Sequence, residues 1–251
     1  MNILRALGKL KAIAASQIGG PLIDPIEVFY ELATDRVYPI ISKSGNSSLK
    51  RLLINKYNPT YTAGFPEIHL DDPSPLTNGQ IERRYFSTQK DYYAFCANKT
   101  IYVVMRDPVA RYYSFYLGVR SRRNLIYRYP SQTHRLFRIT SNLNLPQLLR
   151  RTAFLPDRIA DRHFRSQSFY VPQEVYETAA AVEVHDMPVY LRAAAGAVNR
   201  ETMVKLNDSK LTDTETELSL IRNSTYFTRR YAEDLALYRT ITTLPSPRAK
   251  N

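Results

Sequence analysis

Two short stretches combine residue types that handle anions. Lys43-Ser44-Gly45-Asn46-Ser47-Ser48 follows a β-branched apolar run and precedes a segment with Leu49, Leu52, Leu53 and Lys56 at helical spacing. A helix starting there aims its free N–H groups and the positive end of its dipole at whatever occupies the loop. Gly45 permits close backbone approach, Ser47 and Ser48 add hydroxyl donors, and Lys43 adds a mobile cation. The same residues would also serve as a plain strand-to-helix turn with a capping serine. This is not a Walker loop, because Lys43 precedes the glycine. The second stretch is Arg106-Asp107-Pro108, with Arg111 and Ser114 one and two turns on. An arginine ending a buried strand can clamp a phosphate through paired hydrogen bonds, and Ser114 can add a hydroxyl on the same side. Asp107 reads as an N-cap before Pro108, and Arg111 as a solvated helix residue.

Both stretches need a strand before them and a helix after. Arg36–Ile41 supplies the first strand, with Pro39 arguing for an imperfect or edge-like one, and Ser48–Tyr57 the first helix. Thr100–Met105 is typical of a strand buried on both faces, and Val109, Tyr112, Tyr113 and Tyr116 then repeat at helical spacing. Strand–turn–helix units separated by dozens of residues predict an α/β fold with a parallel sheet. Asn58–Gly79 reads as a long irregular region of the kind that often binds ligands. Leu145–Thr152, Met187–Val198 and Asp213–Ile241 read as helical, and Ala180–Val184 as a short strand. The expected layout is an N-terminal helical segment over 1–35, one domain over 36–241 and a tail over 242–251.

Composition narrows the classes of function. With 251 residues, 44% apolar and 23% charged, the chain is globular, and no linker divides it. The net charge of +12 predicts a polyanionic partner such as nucleic acid, a phosphate-rich cofactor, an acidic polysaccharide or an anionic lipid surface. One cysteine, Cys96, excludes an internal disulfide framework and fits a reducing compartment. His69, His134, His163 and His185 are too dispersed to suggest a metal cluster, and no apolar run approaches the roughly 18 residues of a membrane span. Ile3, Leu4, Leu7 and Leu10 share one helical face; Lys9 and Lys11 interrupt the apolar stretch that a secretory signal needs. That segment reads as a surface helix docked on the domain, with peripheral membrane contact as the alternative.

Taken together, the two anion motifs resemble a known family. ISKSGNSSLKRLL looks like the 5′-phosphosulfate loop of sulfotransferases, and IYVVMRDPVARYYSFY like their 3′-phosphate motif, with Ser114 eight residues after Arg106. Asp161-Arg162-His163-Phe164-Arg165-Ser166-Gln167 is similar to the Asp-x-His-aromatic-x-Pro-Gln segment of the carbohydrate sulfotransferase branch. Leu206-Asn207-Asp208-Ser209-Lys210 resembles its Leu-Asn-x-Ser-Lys element, and Tyr231–Arg239 its ending. The resemblance runs from Arg36 to Arg239, about four-fifths of the chain. Ser42 stands where the family often has Pro, Ser166 replaces the Pro before Gln167, and Phe164 replaces the usual Trp.

The resemblance implies a P-loop-like parallel sheet flanked by helices, and 3′-phosphoadenosine 5′-phosphosulfate (PAPS) as sulfuryl donor, with no metal. Lys43, Ser44, Gly45, Asn46, Ser47 and Ser48 would hold the 5′-phosphosulfate, and Arg106 with Ser114 the 3′-phosphate. Lys43 would neutralise the leaving oxygen during in-line displacement. The base that deprotonates the acceptor hydroxyl is His69, His163 or Glu67, while His134 and His185 read as structural. Arg162, Arg165 and Gln167 are the expected acceptor contacts, beside basic clusters at Arg120, Arg122 and Arg123 and at Arg150 and Arg151. The expected acceptor is a carbohydrate or glycolipid, anionic in character, met in the cytoplasm or at the inner membrane face. A non-catalytic nucleic-acid or polyanion binder and a P-loop phosphotransferase are the competing readings; no recognised nucleic-acid motif supports the first, and the missing Walker lysine opposes the second.

Overall fold

A computed structural model describes residues 21–63, 67–121, 131–171, 180–183 and 215–243. In chain order the elements are β1 (Ile26–Glu31), β2 (Arg36–Pro39), α1 (Asn46–Tyr57), the four-residue helices α2 (Glu67–Leu70) and α3 (Pro73–Leu76), β3 (Ile81–Phe86), α4 (Gln89–Cys96) and β4 (Thr100–Met105). They continue with α5 (Pro108–Arg120), α6 (Gln132–Phe137), α7 (Leu145–Thr152), β5 (Ala180–Glu183), α8 (Glu215–Arg222), α9 (Thr225–Arg230) and α10 (Ala232–Thr243).

The strands form an open mixed sheet in the order β3-β1-β2-β4-β5. β2, β4 and β5 are parallel, while β1 pairs antiparallel with both β2 and β3. The α/β class stands, and the expectation of a wholly parallel sheet is corrected by β1, which runs antiparallel to both of its neighbours. The expected helical segment 1–35 is corrected too: residues 26–31 are an interior strand, and residues 1–20 lie outside the described ones. Pro39 does not mark an edge. It is the last residue of β2, opposite Val28 of β1, and the next residue, Ile40, donates its N–H to the Glu27 carbonyl.

β1 escapes a sequence reading because its two glutamates are buried. Glu27, Phe29 and Glu31 alternate onto the face covered by α1, whose Leu49, Leu52, Leu53 and Ile54 pack on Phe29, Tyr38 and Ile40. Each such leucine contributes about 1.5–3 kcal/mol by leaving water. Glu31 survives there because Lys56 Nζ (2.5 Å) and Tyr57 OH (2.6 Å), from the end of α1, both donate to it. On the opposite face Val28, Val37, Ile101, Val103 and Met105 meet Tyr92 and Cys96 of α4 and Leu237 of α10. A third cluster is helical, with Tyr112, Phe115 and Tyr116 of α5 against Leu148 of α7, Phe227 of α9 and Tyr231.

Buried tyrosines keep their hydroxyls bonded, as Tyr92 to the Tyr170 carbonyl and Tyr231 to the Phe164 carbonyl, both at 2.6 Å. The expected helix over 213–241 is three helices, because Ser224 caps a fresh start by accepting from Phe227 N–H. The expected irregular region over 58–79 contains α2 and α3. The expected helix 187–198, the 206–210 motif, Arg122, Arg123 and His185 lie outside the described residues. Among the described residues no helix is long and apolar enough to cross a membrane.

Candidate active site

The chain leaves β2 through buried Ile40 and Ile41 and turns sharply. Lys43 (φ 66°) and Gly45 (φ 72°) both adopt the left-handed conformation before α1 begins at Asn46. For a lysine this costs about 1–2 kcal/mol, so the surroundings must hold it there. They do so with two arginines: Arg111 Nε donates to the Ser42 carbonyl (3.0 Å) and Arg106 Nη1 to the Lys43 carbonyl (3.2 Å). Gly45 caps α1 without a side-chain hydrogen bond, and the first turn holds no acidic residue. The first-turn N–H groups of a twelve-residue helix therefore face the loop with their partial positive charge uncancelled by an acidic side chain.

Burial, with Arg106 and Arg111 nearby, pulls the Lys43 ammonium down to about 8, while Asp161 acts in the opposite sense. Asp107 caps α5 as expected, accepting from Ala110 N–H at 2.7 Å. Ser114 sits two turns into that helix and is buried. Arg111 corrects its expectation: it is buried, not solvated, and its Nη2 also donates to the Arg162 carbonyl.

The two histidine candidates differ sharply. His163 Nδ1 lies 2.5 Å from Asp161 Oδ1, and the His163 backbone N–H donates to the same oxygen at 2.9 Å. Asp161 is buried, yet its carboxylate is held well below the usual range by His163 and His134, so it stays ionised. The pair orients the imidazole and leaves Nε2 pointing away from the carboxylate, the arrangement a general base needs. His69 Nε2 is 2.8 Å from Ser47 Oγ, and burial plus the Lys50 charge pull that imidazole down to about 4. It is neutral near pH 7 and weakly basic. Glu67 is exposed at the first position of α2. His134 is buried against Phe115 and Phe164, in agreement with a structural role.

Glu27 is 5% exposed, with Lys50 Nζ at 2.6 Å, Arg162 Nη1 at 2.9 Å and Arg83 Nε at 3.4 Å. Arg162 also grips Asp24 (2.6 Å). Arg165 is 0% exposed and donates to the carbonyls of Asp157, Asp24 and Ala160. The expectation that Arg162 and Arg165 contact an acceptor is corrected for this reason: their heads are turned inward onto acidic and carbonyl partners. Gln167, the third expected acceptor contact, is fully buried between the two anion motifs. Ser44 also turns inward, donating its hydroxyl to Gln167 Oε1 at 2.8 Å.

Glu27, Lys50, Asp24 and Asp161 are the site residues that sequence reasoning missed. Asp161 had a signal, since an Asp two residues before a His is placed to orient the ring. Lys50 had none, because it reads as a surface lysine on α1. Among the described residues no group of three or more His, Cys, Asp or Glu side chains could hold a metal ion. The fold and site together define an α/β protein with two strand-to-helix turns at the carboxyl ends of neighbouring parallel strands. Comparison of the chain with family models, curated proteins and solved structures found no match.

Proposed function

We propose that this protein is a PAPS-dependent sulfotransferase with a P-loop-like first turn, acting on a hydroxyl of a carbohydrate or glycolipid. One observation carries this reading. The Lys43 loop follows β2, Arg106 directly follows β4, these strands are parallel neighbours, and the two turns are tied directly by Arg106 Nη1 on the Lys43 carbonyl. A nucleotide with anionic groups at both ends needs two such receivers at a fixed separation, and α/β sheets bind ligands at this end of their strands.

Bound PAPS would supply an activated sulfuryl group. The α1 N-terminus, with Gly45, Asn46, Ser47 and Ser48, suits its 5′-phosphosulfate, and Arg106 with Ser114 its 3′-phosphate. Lys43 stabilises negative charge as the leaving oxygen becomes anionic. His163, its Nδ1 held by Asp161, takes the acceptor proton at Nε2, while neutral His69 orients the Ser47 hydroxyl. Glu67 has no part in this scheme. Charge for an anionic acceptor comes from exposed Arg120, Arg150 and Arg151, since Arg162 and Arg165 are turned inward. A cytoplasmic setting belongs to the same proposal. Thermal shift with 3′,5′-ADP, ATP and short DNA tests it: stabilisation by 3′,5′-ADP above the other two is expected, and stabilisation by DNA alone would favour a non-catalytic polyanion binder.

A further inference from the structure

Gln167 turns both ends of its carboxamide onto the two anion-receiving turns. Its Oε1 accepts from Ser44 Oγ (2.8 Å) and from Arg106 N–H (3.1 Å), and its Nε2 donates to the Arg106 carbonyl (2.9 Å). One planar group therefore bonds the loop after β2 and both backbone groups of the residue that follows β4. Gln167 is held in turn from the C-terminal helix. Asp234 of α10 accepts from Gln167 N–H at 2.8 Å through Oδ2, and from Ser168 N–H (2.9 Å) and Ser168 Oγ (2.8 Å) through Oδ1. Gln167 and Asp234 are both 0% exposed, so water does not compete for these bonds.

We infer that Gln167 is a positioning residue that sets the separation of the two turns and thereby selects a nucleotide phosphorylated at both 3′ and 5′ over one phosphorylated once. The inference rests on the proposed nucleotide reading. A ligand held at one end is indifferent to the distance between the turns, whereas one held at both ends binds best when that distance is fixed in advance. Ser44 acts through Gln167, its hydroxyl being turned away from the ligand side.

Calorimetric titration of the full chain with 3′,5′-ADP and with 5′-AMP measures the selection as a ratio of Kd values. Gln167→Ala and Ser44→Ala should each shrink that ratio roughly tenfold, the loss falling on 3′,5′-ADP. Ser44→Ala removes one hydroxyl only, and it keeps the test open if Gln167→Ala does not fold. A ratio unchanged in a folded variant overturns the inference and leaves the nucleotide reading standing. Equal losses for both nucleotides also overturn it, because they mark a general loosening. A wild-type protein that binds the two nucleotides equally removes the reading and the inference together.

Discussion

Glu27→Gln should be among the most destabilising single isosteric changes in this chain. Glu27 is 5% exposed and Lys50 1% exposed, and Glu27 is the only acidic partner of Lys50 among the described residues. At their separation of 2.6 Å the gross attraction is about 6 kcal/mol for an effective dielectric near 20. Desolvation of the two ions cancels much of this, and burial pulls the Lys50 ammonium downward even beside its carboxylate. A neutral carboxamide in place of the Glu27 carboxylate would leave that ammonium with no countercharge, and Arg83 and Arg162 would each lose one. Breaking a buried pair this way costs about 3–5 kcal/mol. With a urea m-value of about 3 kcal/mol/M, the unfolding midpoint should fall by about 1–1.7 M. Glu27→Gln with Lys50→Met should recover a large part, since the stranded charge is gone. The Glu27 carboxyl is held below its ordinary 4.5, so its contribution is present above pH 4.5 and is lost as pH falls below it. A Glu27→Gln protein whose stability stays within about 1 kcal/mol of wild type would refute the buried pair, as would a double variant no more stable than the single one.

Lys43 is held down to about 8, so 3′,5′-ADP affinity should fall as pH rises through 8 and the ammonium loses its proton; Lys43→Ala should flatten that limb and cut turnover about 10²–10³-fold, and a limb that persists in the variant assigns it elsewhere. Arg106→Ala should weaken 3′,5′-ADP by about 2–4 kcal/mol and 5′-AMP by less; because it also frees the Lys43 carbonyl, some loss at the 5′ end is expected, and equal losses would identify a purely structural arginine. His163→Ala should lower turnover by roughly two to four orders of magnitude with nucleotide affinity kept, and Asp161→Asn should move in the same direction. A His163→Ala protein with wild-type turnover would remove it as the base. The His69 imidazole is held down to about 4, below its ordinary 6.5, so its contribution to stability is full above pH 6.5 and is lost as pH falls from 6.5 to 4; chemical denaturation across that window should lose this slope in His69→Asn.

Elements specified by neighbours in sequence were legible. β4 spans Thr100–Met105 and α7 Leu145–Thr152, as their patterns predict, and Asp107 caps α5 because the N–H it accepts from lies three residues away. What was hidden depends on distant partners. Arg162 reads as a groove residue until Asp24, 138 positions earlier, is seen to hold it. Arg111 reads as solvent-facing until the Ser42 carbonyl, 69 positions earlier, captures it. β1 carries two glutamates that local pattern assigns to water; only the later Lys50 and Lys56 supply the charges that let them be buried. The two motifs were legible as strand-to-helix turns, but their union was not, since Gln167 reaches Ser44 across 123 positions.

A site built for a nucleotide with phosphates at both the 3′ and 5′ positions must sense where the second phosphate sits. Calorimetric titration of the wild-type protein with 3′,5′-ADP, 2′,5′-ADP and 5′-AMP at one pH and salt tests this most directly. The first and second ligands carry the same charge and differ only in the position of that phosphate. The expected result is a 3′,5′-ADP Kd at least about tenfold below both others, a gap of about 1.4 kcal/mol or more. Equal affinity for the two bisphosphates would make the site a general receiver of negative charge and contradict the account.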